Sequence, residues 1–144
     1  MEAGVVIDEM GLPIYWHIPD DRSIAYLPDS RRLWDVIWGN REIVAGFAHS
    51  HPGSGEPGPS YEDLTTFAAI EAALGKRLTW WITSSDTLVT VTWIGPEKLD
   101  YYTLPQIVRG VAMEGGQPRL YSNEPVWLQR LRDESYQLTE VQNA

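Results

Sequence analysis

The sequence predicts a mixed α+β fold of the α/β class, with a mixed, largely antiparallel sheet flanked by helices. Short segments rich in β-branched and aromatic residues recur along the chain, some of them are joined by tight turns, and two segments with helical spacing of apolar residues lie between them. Strands joined by tight turns pair antiparallel, so the sheet is not purely parallel. The order strand, strand, helix, strand, helix, strand, strand therefore predicts a sheet with helices packed on its faces.

The N-terminal part predicts a hairpin and then a helix. Residues 4–7 and 13–18 have strand composition, and the turn-like sequence of residues 8–11 separates them. Ser30, after Asp29, is a suitable N-cap for a two-turn helix that ends at Gly39-Asn40. The apolar residues at helical spacing in this helix are Leu33, Trp34, Ile37 and Trp38.

The middle of the chain predicts a buried strand, a loop and a second helix. Residues 43–51 form a continuous run of apolar and small residues that becomes polar only at its end, which is typical of an interior strand. Residues 53–59 contain three glycines and two prolines and form a loop. Ser60 then begins a helix that runs to about Leu74, and Gly75 is well suited to end it.

Two further strands follow, and the pattern weakens after them. Residues 78–82 and 87–94 are strand candidates around the turn of residues 83–86, and they extend the same sheet. Residues 104–113 are compatible with either strand or helix, and we expect residues 115–118, Gly-Gly-Gln-Pro, to break that segment.

The length of 144 residues suits one principal domain. We assign residues 1–114 to that domain and residues 115–144 to a C-terminal extension. Trp127, Leu128 and Leu131 predict a short amphipathic helix in the extension, and we expect about the last ten residues to be disordered.

Composition and charge exclude several classes of function. Asp and Glu outnumber Lys and Arg by 20 to 11, and a formal net charge of -9 repels a nucleic-acid backbone. The chain has no cysteine, so a bound metal must be held by histidine and carboxylate ligands. No stretch approaches the roughly 20 apolar residues of a membrane span, and the N-terminus lacks the pattern of a signal peptide. We expect a cytoplasmic protein without nucleic-acid or membrane partners.

One group of residues has the composition of a metal site. His49 and His51 lie two apart at the end of a strand, so their side chains project from the same face and can bind one ion. Asp63, in the first turn of the next helix, is placed to add a carboxylate and leave one position open for water. A His-x-His pair is by itself often a surface or core contact, and Ser60 with Asp63 also fits a helix capping box. The conjunction of these features favours a divalent metal site, with zinc as the expected ion.

These residues carry a resemblance to a known family. His49-Ser50-His51-Pro52 followed by Pro59-Ser60-Tyr61-Glu62-Asp63 resembles the signature of the JAMM (MPN+, JAB1/Mov34) zinc metalloproteases, in a small prokaryotic-type form. The resemblance covers about residues 2–94, with a loop slightly longer than is typical. It implies the MPN/JAB deaminase-like fold, with His49, His51 and Asp63 as zinc ligands and Ser60 as the residue that stabilises the substrate's oxyanion.

The resemblance also implies a glutamate on the first strand that acts as the general base. Glu2, in the sequence Glu2-Ala3-Gly4, fits the local pattern and the distance to the histidines, and it is our choice. Glu9, on the first turn, and Glu42, just before the histidine strand, are the other candidates.

The resemblance implies a zinc-dependent protease or isopeptidase whose substrate is a protein or peptide. It suggests cleavage at the C-terminus of a ubiquitin-like or sulfur-carrier protein, whose extended tail would bind by strand addition. The alternative is a non-catalytic MPN-like interaction module in a larger assembly. The stripe of Trp127, Leu128 and Leu131 would be its docking surface, although apolar residues at helical spacing more often belong to the core. A zinc deaminase is disfavoured because the His-x-Glu and Pro-Cys-x-x-Cys elements are missing.

Overall fold

A computed structural model describes residues 2–22, 30–107, 111–114, 117–120 and 124–134. Its elements, in chain order, are β1 (Gly4–Asp8), β2 (Pro13–His17), α1 (Arg31–Gly39), β3 (Val44–Ser50), α2 (Tyr61–Leu74), β4 (Thr79–Thr83), β5 (Thr87–Trp93), β6 (Tyr101–Ile107), β7 (Val111–Glu114) and β8 (Gln117–Leu120). Residues 128–134 are also helical, and we call them the C-terminal helix. The first seven elements follow the predicted order.

Six strands form one mixed sheet in the order β2-β1-β3-β4-β5-β6. Neighbouring strands pair antiparallel except β3 and β4, which are parallel and are connected through α2. The predicted class, a mixed and largely antiparallel sheet with helices, is confirmed. The prediction that the histidine strand lies in the interior is also confirmed, because β3 pairs with β1 on one side and β4 on the other.

The sheet is apolar on both faces, because successive side chains along its strands point alternately into two hydrophobic clusters. One face packs against α1 and α2, with Val6, Ile37, Phe67, Trp80 and Val91 among its buried residues. The other face packs against the C-terminal helix, with Val5, Ala48, Leu88, Leu128 and Leu131 among its buried residues. The stripe considered above as a docking surface therefore lies in the core, where Trp127 is 2% exposed and Leu128 and Leu131 are 0% exposed.

Both predicted helix starts are present. Ser30 caps α1 by accepting a hydrogen bond from the Leu33 N–H at 3.0 Å, and Ser60 caps α2. Gly75 ends α2 in the left-handed conformation with φ of 69°, which a glycine adopts without steric cost.

The region after residue 100 differs from the sequence-based expectation. The described parts of the segment that was compatible with strand or helix are strands: β6 begins at Tyr101, before the predicted start, and β7 begins at Val111. β7 ends at Glu114, just before the expected break at residues 115–118, but residues 117 and 118, which we assigned to the break, lie in β8. β7 and β8 pair antiparallel with Glu114 opposite Gln117. The adjacent glycines at 115 and 116 in the sequence are a two-residue hairpin signal, which we interpreted as a break.

Other sequence-based expectations fall outside the part of the chain that the structure describes. These are Asp29 at the start of α1, the glycines at 115 and 116, and the expected disorder of residues 135–144.

Candidate metal centre

The two histidines come from the end of β3 and lie on the α2 face of the sheet. His49 is the next-to-last residue of β3 and is 7% exposed, and His51 follows the strand directly. Their Nε2 atoms are 3.0 Å apart. Two nitrogen ligands about 2.0 to 2.1 Å from a tetrahedral zinc ion are separated by about 3.3 Å, so the pair needs only a small adjustment to share an ion.

The third group comes from α2, which begins beside the end of β3. The Asp63 Oδ2 atom lies 3.9 Å from His49 Nε2. Each of the three side chains offers one ligand atom, and these three atoms lie within 4.8 Å of one another, close enough to hold a metal ion. The residues are His49, His51 and Asp63. The described residues thus bring together the three side chains that the sequence singled out.

The helix cap explains why Asp63 points toward the histidines. Ser60 Oγ accepts a hydrogen bond from the Asp63 N–H, and Asp63 Oδ2 accepts one from the Ser60 N–H, each at 3.0 Å. A carboxylate has two oxygens and about four lone-pair sites, so this capping box leaves acceptor capacity for an ion. Capping box and metal ligand are therefore compatible roles for the same side chain.

The surroundings of the histidines favour the protonation state that binds metals. Burial lowers the pKa of His49 to about 4, and the nearby His51 adds to the effect. Burial also lowers the pKa of His51, although the charge of Asp63 opposes that shift. Both imidazoles are neutral at pH 7, and neutral imidazole is the form that donates a lone pair to a metal.

A further contact supports His49 within the sheet. The ring centroids of Phe47 and His49 are 6.4 Å apart, and the two ring planes are inclined by 24°. Phe47 also fills the space left by Gly4, the β1 residue opposite His49, because a Cβ atom there would clash with the Phe47 ring. Gly4 thus permits the aromatic packing that surrounds His49.

Glu2 lies just ahead of β1, at the same end of the sheet as the histidines. β1 runs antiparallel to β3 with Gly4 opposite His49, so Glu2 comes beside His51. Its Oε1 atom is 3.7 Å from His51 Nε2, and the residue is 8% exposed. Burial, followed by the charge of Asp63, raises the pKa of Glu2 from 4.5 to about 7.

The other two glutamate candidates lie at the opposite end of the sheet. Glu9 follows β1, and its N–H donates to the carbonyl of Ile43, next to Glu42. Both glutamates are exposed, and the length of β3, at about 3.3 Å per residue, separates them from His51 by about 20 Å. Of the three, Glu2 alone is brought to the candidate site.

Ser60 keeps a hydrogen-bond donor available. Its hydroxyl oxygen accepts from the Asp63 N–H, which leaves the hydroxyl proton free to donate to a bound molecule. The residue is exposed at the start of α2, on the side of the loop that follows His51.

Two features near the site were missed by the sequence analysis. His17, on β2, is 3% exposed and lies opposite Gly4, in the same row across the sheet as His49. Asp86, known from sequence only as part of a turn, accepts a hydrogen bond from the Gly55 N–H in the loop after His51. Strand register decides both placements, and neither residue belongs to a recognisable local motif.

Comparison with known proteins adds no assignment. No protein-family model matches the chain, and no curated protein matches its sequence.

In the part of the chain that the structure describes, no helix is long and apolar enough to cross a membrane.

Proposed function

We propose that this chain is a zinc-dependent hydrolase of amide or isopeptide bonds, a JAMM-type protease or isopeptidase. The observation that carries the proposal is the position of Glu2. This buried carboxyl group lies 3.7 Å from His51, beside a group of three side chains that can hold one divalent ion. A proton acceptor and donor next to a metal with an open position is the arrangement that metal-assisted hydrolysis needs.

The donor set fits zinc. Two imidazole nitrogens and one carboxylate oxygen are ligands that zinc commonly takes, and catalytic zinc sites have three protein ligands with one position open. When bound, zinc supplies Lewis acidity that polarises a carbonyl and activates a water molecule at neutral pH. His49, His51 and Asp63 would hold the ion.

The remaining roles belong to the chain's own carboxylate and hydroxyl. Glu2 accepts the proton of the attacking water at one carboxylate oxygen and then returns it to the leaving amine. In the metal-free protein burial raises the pKa of this carboxyl, and the charge of a bound zinc ion would lower it again, which favours the ionised form that accepts a proton. The hydroxyl of Ser60 donates a hydrogen bond to the oxyanion that develops on the substrate carbonyl, a contact worth about 3 to 4 kcal/mol in comparable sites.

The resemblance to the JAMM signature supports a protein or peptide substrate. The first substrates to test are ubiquitin-like and sulfur-carrier proteins, which end in an extended tail. An extended tail binds by adding a strand to a sheet. In the six-stranded sheet that carries the candidate site, β2 and β6 are the edge strands to which it could add.

The proposal is tested by measuring zinc content and cleavage together. The purified protein is analysed for zinc and is incubated with a ubiquitin-like protein that carries a C-terminal peptide extension. We expect one zinc per chain, release of the extension, and loss of cleavage after treatment with a chelator. Glu2→Gln should retain zinc and lose turnover, whereas the matched variant Glu42→Gln, remote from the site, should keep both.

Two results would contradict the proposal. The first is a protein that neither contains a stoichiometric transition metal nor gains one when zinc is added. The second is full activity in Glu2→Gln, which would remove this residue as the general base.

A further inference from the structure

The turn between β4 and β5 lies directly against the loop that follows His51. The His51 N–H donates to the carbonyl of Thr83 at 2.8 Å, and the Ser85 N–H donates to the carbonyl of Gly53 at 2.9 Å. These bonds continue the β3–β4 pairing beyond the end of β3. The backbone on which His51 sits is therefore held by the 83–86 turn rather than by its own strand alone.

Asp86 extends this support into the loop. Its Oδ1 atom accepts from the Gly55 N–H at 2.8 Å and from the Thr87 hydroxyl at 3.1 Å. The hydroxyl of Ser84 donates to the carbonyl of Gly55 at 2.5 Å, so both polar groups of the Gly55 backbone are bonded to the turn. The pKa of Asp86 is lowered, mainly by the Gly55 N–H, so its carboxylate is charged and acts only as an acceptor at neutral pH.

Arg132 connects the turn to the C-terminal helix. Its Nη2 atom donates to the carbonyl of Ser85 at 2.7 Å. The guanidinium is also 3.9 Å from a carboxylate oxygen of Glu124, and both side chains are nearly buried, at 6% and 7% exposure. The contacts run from the C-terminal helix through the turn to the loop between His51 and Ser60.

We propose that Asp86 and Arg132 are positioning residues of the metal centre. Asp86 fixes the loop that joins His51 to Ser60, and Arg132 fixes the turn that carries Asp86. The inference rests on the metal site of the proposed function and assigns the C-terminal helix a role in metal binding. Groups that orient metal ligands from outside the first coordination shell commonly change metal affinity 10- to 100-fold when removed.

The experiment measures cobalt and zinc binding by the full chain and its variants. Co²⁺ is titrated by its visible absorption, and the zinc affinity is measured by competition with a chromophoric chelator. Because Asp86 bonds the loop after His51 and not a ligand itself, we expect Asp86→Ala to raise the dissociation constant of zinc by about 10-fold, the low end of the range for such support, and to alter the Co²⁺ spectrum. Asp86→Asn keeps an oxygen for the Gly55 N–H and should restore most of the affinity. Arg132→Met should weaken binding in the same direction.

A matched control lies at the other end of the sheet. Asp8 Oδ1 accepts from the N–H groups of Met10 and Leu12, each at 2.9 Å, so Asp8→Ala also removes a turn-stabilising carboxylate. It should leave metal affinity unchanged. Hydrogen exchange of the metal-free protein gives a second measurement, in which Asp86→Ala should accelerate exchange in residues 53–59 and Asp8→Ala should not.

The outcomes separate this inference from the proposed function. If the unmodified protein binds metal and Asp86→Ala binds it equally well, or if Asp8→Ala weakens binding as much, the positioning role is wrong and the hydrolase proposal stands. If the variants behave as expected but the unmodified protein cleaves no amide bond, the positioning role stands and the hydrolase proposal is wrong. If the unmodified protein binds neither ion, both are wrong.

Discussion

Glu2→Gln should stabilise the metal-free protein at neutral and alkaline pH. Glutamine has nearly the shape of a protonated glutamate, so the substitution keeps the packing and removes only the titration. Burial raises the pKa of Glu2 from 4.5 to about 7 in the folded protein, whereas the unfolded chain has the ordinary value. The folded protein therefore holds a proton between these two pH values that the unfolded chain has already lost.

The sign and size of the effect follow from this difference. The stability that protonated Glu2 contributes is complete below pH 4.5 and is lost as the pH rises toward 7. The full shift corresponds to about 3 kcal/mol at 1.36 kcal/mol per pKa unit. Solvent screening of this partly accessible carboxylate reduces the expected effect to about 1 to 2 kcal/mol. The variant and the unmodified protein should thus be equally stable near pH 4.5, and the variant should be more stable at pH 8.

The measurement is urea unfolding, followed by tryptophan fluorescence, at several pH values in the presence of a chelator. The titration of His49 acts in the opposite direction, because its lowered pKa makes stability fall as the pH drops from 6.5 toward about 4. That effect is common to both proteins and cancels in the difference between them. Glu42→Gln, at an exposed site, is the control and should show no pH-dependent difference. A Glu2→Gln protein that is less stable at every pH, or equally stable at pH 8, would refute the reasoning.

Three further predictions follow from the site and the core. His49→Ala and Asp63→Ala should each lose stoichiometric zinc in elemental analysis while Asp8→Ala retains it, because each removes one of three ligand groups; full zinc content in either ligand variant would exclude that residue as a ligand. Ser60→Gly costs the helix cap only a few tenths of a kcal/mol but removes the hydroxyl, so turnover should fall about 10²- to 10³-fold with zinc retained; near-normal turnover would limit Ser60 to capping. Leu131→Ala, at a fully buried position, should lower the free energy of unfolding by about 2 to 5 kcal/mol in urea, whereas Val126→Ala, at a residue 71% exposed, should change it by less than about 0.5 kcal/mol.

The sequence predicted much of the fold because its local signals were strong. The hairpin of β1 and β2, both helix caps and the interior position of β3 follow from turn residues, capping residues and an unbroken apolar run. The region after residue 100 was harder because β6 is an edge strand whose exposed residues, such as Leu104 at 55%, do not show the pattern of a buried strand.

For the site, short-range spacing was informative and long-range pairing was not. His49 and His51 are two residues apart on a strand, and Asp63 belongs to a helix cap, so local geometry predicted that they could converge. Glu2 was chosen over Glu9 and Glu42 from the family resemblance alone, because local spacing does not encode the register between β1 and β3 that brings it beside His51. The contact of Asp86 with Gly55 spans 31 residues and was hidden for the same reason.

The surroundings of Glu2 argue for a catalytic rather than a purely structural metal site. A structural zinc site is closed by four protein ligands, whereas the group formed by the described residues has three, and Glu2 lies beside it without belonging to it. Burying this carboxyl raises its pKa and costs stability in the metal-free protein at neutral pH, and its position outside the group of three ligands is not needed to hold the ion. A hydrolytic site gains from this position a group that can accept the proton of the attacking water and return it to the leaving group. A Glu2→Gln protein that retains zinc, loses turnover and becomes more stable without metal is the combination that hydrolysis predicts and that an inert interaction module does not.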